Sequence, residues 1–147
     1  MNAHVNMKPT PGTDAFHRER SRCIDAFAEI EEAVAAHLMA SQIRFGAECL
    51  GLRIALLQKA KVSVAYPKAR LATIHGLLES IFELIDQRND IVHAKLVMAA
   101  IGDDQKACFI NAKQATCGSQ IARLYTFESM RALTQTARKL AEELRQA

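Results

Sequence analysis

From Phe16 onward the apolar residues fall on a helical period. Phe16, Cys23, Phe27, Ile30, Val34 and Leu38 recur at spacings of three, four and seven, which gathers them on one face of a helix that needs a packing partner. Thr13 or Asp14 can cap this helix, which should run to about Ala40. His37, beside the stripe, reads as a satisfied helix-surface histidine. A second helix is expected over about 44–60, with Phe45, Cys49, Leu52 and Leu56 as its stripe and Gly46 and Gly51 weakening it. The stretch 61–66 reads as a connector, with Pro67 in the first turn of the next helix. That third helix is the clearest. Leu71, Ile74, Leu78, Ile81 and Ile85 alternate three and four apart, broadened by Leu77, Phe82 and Leu84, and the pattern carries to about Gln87. The polar cluster 86–90 follows, where Asn89 or Asp90 caps a fresh short helix or the helix continues through.

After His93 the pattern changes. Two short apolar runs, 95–101 and 107–110, flank Gly102-Asp103-Asp104 and read as a β-hairpin over 95–110, with continued helix the competing reading of the first run. Residues 111–119 read as loop. Thr126 then caps a last helix, with Glu128 near its positive end and Met130, Leu133, Ala137, Leu140 and Leu144 as its stripe. The fold class is mainly α. The expected architecture is a bundle of about four long helices with a β-hairpin before the last. Residues 1–13 are expected to form a flexible N-terminal tail, and 14–147 a single domain.

Composition agrees with this picture. Hydrophobic residues make up 50%, charged residues 24% and aromatic residues 5%, with no Trp, and the Ala, Leu and Ile content favours helix. The N-terminal stretch has no apolar run long enough for a signal peptide, and no run reaches the length of a membrane span. A cytoplasmic protein without membrane association is the expectation. The four cysteines, Cys23, Cys49, Cys108 and Cys117, form no C-x-x-C pair. They read as buried reduced thiols rather than metal ligands, although Cys108 and Cys117 can be drawn with His93 as a zinc set. No metal and no cofactor are expected.

A net charge of +3 is too weak to argue a polyanion partner alone. Its distribution says more. No acidic residue occurs between Cys49 and Leu78, where Arg53, Lys59, Lys61, Lys68 and Arg70 fall. Lys59, Lys61, Lys68 and Arg70 are therefore the expected RNA-guiding residues if the partner is nucleic acid, against the alternative of a solvated face.

The sharpest chemical feature is Arg88-Asn89-Asp90-Ile91-Val92-His93. An Arg followed five residues later by a His is common by chance: with 11 Arg and 5 His, a shuffled chain holds roughly 0.4 such pairs. Arg70 and His75 have the same spacing. Requiring Asn directly after the Arg lowers the chance expectation to about 0.01.

On these residues the chain resembles the HEPN domains, helical proteins whose signature is an Arg, four to six residues, then a His, with a polar residue, very often Asn, after the Arg. The all-helical layout and the Thr126-Phe127-Glu128 start of the last helix are similar too. Ala94 stands where Gly is common, and the hairpin is an addition to the usual bundle. The resemblance implies a metal-independent endoribonuclease, often a toxin or antiviral defence effector. It further implies a homodimer with two motifs facing one cleft, and RNA and a cognate antitoxin or partner protein as partners. The alternative is a non-catalytic helical module binding RNA, nucleotide or a protein.

Chemistry points the same way. Metal-free RNA cleavage uses the ribose 2′-OH as nucleophile. It needs a proton-moving group near neutral pH, which His93 supplies, and a permanent cation at the phosphate, which Arg88 supplies. Asn89 can orient His93 or bind phosphate; Asp90 can cap a helix or steady the Arg. On one continuous helix Arg88 and His93 would stand about 140° apart. Their convergence therefore calls for the long arginine stem, a kink or a second subunit. The structural alternative is Arg88 paired on the surface with Glu83, Asp86 or Asp90, and His93 an ordinary interface residue.

Overall fold

The computed structural model describes residues 12–102, 104–116 and 119–147, with positions 101, 104, 111–116 and 119–121 described by backbone alone. Nearly all of the expected tail, and Cys117, lie outside the described residues. The fold is mainly helical with a small antiparallel sheet inserted before the last helix. In chain order it runs α1 (Thr13–Ala40), α2 (Leu50–Leu57), α3 (Lys68–Phe82), α4 (Ile85–His93), β1 (Lys95–Ile101), β2 (Asp104–Thr116), β3 (Ser119–Tyr125) and α5 (Phe127–Gln146).

The long amphipathic helices form where the periodicity puts them. All six stripe residues of α1 and all five of α5 are buried, and these two helices pack along each other as the spine of the bundle. Thr126 accepts a hydrogen bond from the Ser129 amide at 3.0 Å, the N-cap expected of it. His37 departs from its sequence reading. It is satisfied, but only 6% exposed. Its Nε2 meets the Leu144 carbonyl at 2.7 Å and its Nδ1 the Tyr66 hydroxyl at 2.9 Å.

Two helices are shorter than their patterns suggest. The second begins only at Leu50, because 45–48 is taken into a local turn. The Glu48 carboxylate accepts from the Gly46 amide, while Arg53 donates to the Gly46 carbonyl at 2.8 Å and lies over the Phe45 ring. The third ends at Phe82 rather than near Gln87. Glu83 and Leu84 form the break, and α4 turns inward so that Ile85 lies beside Gly51. Asp86 to Asp90 therefore lies inside α4, and neither Asn89 nor Asp90 is a helix cap.

The hairpin is present, with Lys95 opposite Ile110 and Ile101 opposite Asp104. Gly102 takes φ +64 in its turn, a conformation glycine adopts without a Cβ clash. Of the segment read as loop, 111–116 and 119 are strand, and 117–118 lie outside the described residues. Strand β2 continues to Thr116, and β3 returns antiparallel to give the order β1-β2-β3, with a register irregularity between Asn111 and Thr116. The inward face of the sheet carries Ala107, Phe109 and Tyr125, all buried against the helices. Arg123 shares that face, two residues from Tyr125, so the apolar alternation expected of a half-buried strand is broken there. No helix among the described residues is long and apolar enough to cross a membrane.

Candidate functional site

Helix α4 lies against α1, running antiparallel to it, and side chains from α1 and β3 hold it there. Arg20 reaches from α1 to the end of α4, donating from Nε to the Ile91 carbonyl at 2.8 Å and from Nη2 to the Ala94 carbonyl at 2.9 Å. These are carbonyls that a helix C-terminus leaves without intrahelical partners, and a cation there also suits the helix dipole. The Arg20 guanidinium lies over the Phe109 ring, and burial lowers its pKa from the usual arginine value. From the other side, fully buried Asp90 pairs with Arg123 of β3. Eleven residues along α1 from Arg20, Glu31 meets Arg88.

The motif assembles on this platform. Arg88 Nη2 donates to Glu31 Oε1 at 2.6 Å. Its Nη1 donates to Asn89 Oδ1 at 3.2 Å and stands 3.5 Å from His93 Nε2. Arg88 Nε is buried with no hydrogen-bond partner among the described residues. The three residues of the motif thus come together within a single chain, by way of the long arginine stem. Their convergence needs neither a kink between them nor a second subunit. His93 is exposed in the last turn of α4, while Asn89 and Arg88 are half-buried. A guanidinium only donates hydrogen bonds, so His93 Nε2, 3.5 Å from Arg88 Nη1, can meet it only as an acceptor.

The sequence offers Glu83, Asp86 and Asp90 as surface partners for Arg88; the partner found is Glu31, on another helix. Asp90 steadies the sheet through Arg123 rather than Arg88. Glu31, Arg20 and Arg123 are not legible as site residues in the sequence, since 57, 71 and 33 positions separate them from their partners and no local pattern links them. Gln87 accepts from the Tyr125 hydroxyl at 3.4 Å.

The four basic residues expected to guide RNA lie elsewhere. Lys59 and Lys61 line an open cavity of about 500 Å³ with Ala40 at the end of α1, residues 41–43 after it and the connector 62–66. Ala40 is nine residues beyond Glu31, about 14 Å along the helix. Lys68 is exposed at the start of α3. Arg70 is engaged structurally: it donates to the Ala147 carbonyl at 2.7 Å and the Ala65 carbonyl at 2.6 Å, and stacks on Tyr66. None of these four is among the described residues that the Arg88 guanidinium contacts, which are Glu31, Asn89 and His93.

Among the described residues no three His, Cys, Asp or Glu side chains gather into a metal-holding group. The thiols are not uniformly buried. Cys23 is buried, Cys108 half-buried and Cys49 exposed, and none of the three is in a disulfide. Compared with protein-family models, with curated proteins and with solved structures, the chain matches none.

Proposed function

We propose that this protein is a metal-independent endoribonuclease of the HEPN kind, cutting RNA through 2′-OH attack and acting as a toxin or defence effector. The observation that carries this reading is the closeness of an exposed imidazole, an amide and an oriented guanidinium, Arg88 Nη1 lying 3.2 Å from Asn89 and 3.5 Å from His93. His93 Nε2 takes the proton from the 2′-hydroxyl. The 2′-oxygen then bonds to phosphorus and the bond to the 5′-oxygen breaks, that oxygen leaving with a proton from water or from a second copy of His93. Arg88 stabilises the crowded phosphate and Asn89 positions it. The products are a 2′,3′-cyclic phosphate and a 5′-hydroxyl. A homodimer would set two such motifs across one cleft and is part of the proposal.

One observation favours the alternative, a non-catalytic module binding RNA, nucleotide or a partner protein such as an antitoxin. Arg88 Nη2 is already occupied by Glu31. The experiment that separates the two is cleavage of RNA in EDTA by wild type, His93→Ala and Arg88→Ala, with analysis of the product ends. His93→Ala should lose about 10²–10⁴ in rate, and Arg88→Ala about 3 kcal/mol of transition-state stabilisation. A 2′-deoxy substrate should not react, and His75→Ala should cut normally. Full activity in His93→Ala, or none after EDTA, would remove the nuclease reading and leave the binding module.

A further inference from the structure

A second polar pocket lies on the opposite side of α1 from the motif. Glu19 and Arg22 of α1 face Arg131, Thr134, Gln135 and Arg138 of α5 across a recess of about 140 Å³. Arg20 and Glu31, the α1 residues that meet α4, are eleven apart and so nearly aligned on the helix, whereas Arg22 lies about 200° round from Arg20. The recess is therefore not part of the Arg88–His93 site.

Its charge is unbalanced. Glu19 is 3% exposed and lies 3.4 Å from Arg22. Arg131 and Arg138 are exposed and make no ion pair among the described residues, the Arg131 guanidinium lying only at 6.0 Å from the Phe127 ring. Three guanidiniums around one carboxylate leave two positive charges in excess. Arg131, Gln135 and Arg138 sit at spacings of four and three, so the α5 donors project from one face. Forked guanidinium donors around a small recess suit a tetrahedral oxyanion, and an amide donor from Gln135 adds to them. The volume equals that of roughly four to five waters, room for a phosphate group.

We propose that this α1–α5 recess binds a phosphate group through Arg22, Arg131 and Arg138. Resting on the RNA reading given above, the source of that phosphate is the RNA backbone. The recess is then an anchoring subsite for a strand that crosses α1, a helix only about 10–12 Å across with its side chains. These arginines are hidden in the sequence because Glu19, Glu128 and Glu142 stand among them; an acid-free run of chain is not the same thing as an acid-free surface.

The test is NMR titration of ¹⁵N-labelled protein with inorganic phosphate, with AMP and with a short single-stranded RNA, following arginine Nε–H and α5 amide signals. Wild type is compared with Arg131→Gln/Arg138→Gln and, as a control for lost charge, Lys139→Gln, with thermal melts confirming that each folds. Phosphate should shift the recess signals in wild type and in the control, and bind about tenfold more weakly in the double variant. RNA should do the same, with a salt slope reduced by about 0.7 for each phosphate that the variant no longer neutralises. Recess shifts with phosphate or AMP but not RNA uphold the anion site and reject RNA as its source, whatever becomes of the motif. RNA binding with affinity and slope unchanged in the double variant, or no recess shift with any of the three, overturns the proposal while leaving the Arg88–His93 reading intact.

Discussion

Arg88 and Glu31, 57 residues apart in the chain, meet at 2.6 Å across the α1–α4 contact, and that pair fixes where the motif's guanidinium points. Both side chains are partly open to solvent, at 17% and 33%, so the pair should contribute under about 1 kcal/mol to stability. Its role in the proposed reaction is orientation. Glu31→Gln keeps an oxygen that accepts from Nη2, and Glu31→Ala does not. Turnover should therefore fall roughly ten- to a hundredfold in Glu31→Ala and be largely retained in Glu31→Gln, with urea midpoints close to wild type in both. Equal losses in the two variants would show that the charge, not the aim of Arg88, is what matters.

The stripes of α1 and α5 are readable because a helix buries a fixed face, and local periodicity alone identifies it. The hairpin is readable from its turn and apolar runs. Its third strand is not, because Arg123 occupies an inward position and is matched by Asp90 from another element, a pairing that exists only in the fold. The motif is readable because its members lie within six residues. What surrounds it is not: Glu31, Arg20 and Arg123 reach it from distant helix and strand positions. Arg70 shows the converse. It looks available in an acid-free stretch, yet it is held by two carbonyls and an aromatic ring.

His37 ties the ends of three segments together. The Leu144 carbonyl can only accept, so Nε2 carries the proton there, and in the neutral ring Nδ1 accepts from the Tyr66 hydroxyl. His37→Ala would open a cavity and strand the Leu144 carbonyl, leaving the Tyr66 hydroxyl only its 3.4 Å hydrogen bond to the residue-37 carbonyl, at a cost of about 2–4 kcal/mol. Tyr66→Phe loses the hydroxyl's contacts with His37 Nδ1 and with the His37 carbonyl, about 1 kcal/mol. Urea denaturation of the two variants measures both. A His37→Ala variant as stable as wild type would mean that this buried network contributes nothing to holding the helix ends.

Two buried acids should make the fold sensitive to alkali. Cys23 is fully buried, and its thiol is pushed up to about 11, chiefly by that burial, with Glu19 adding to the rise and a hydrogen bond with Thr134 opposing it. Tyr125 is pushed up to about 12, again first by burial, with Arg123 opposing and Asp90 and Cys23 adding. Both groups are raised above their unfolded values of 9.0 and 10.0. Below the lower of these, folded and unfolded chains hold the same protons at these sites, and the fold keeps its full stability. Above it the unfolded chain sheds protons that the folded chain retains, so stability falls as pH rises, first through Cys23 and then through Tyr125, until the folded groups themselves titrate. Urea unfolding followed from about pH 8 to about pH 11 should show this decline, with Cys23→Ala delaying its onset and Tyr125→Phe flattening its upper part. In the same samples a thiol reagent should modify exposed Cys49 in the native state and Cys23 only on unfolding. Stability that stays level across that range, or a Cys23 that reacts as fast as Cys49 in the folded protein, would mean that these two groups are not held in the dry core that α1, β3 and α5 enclose.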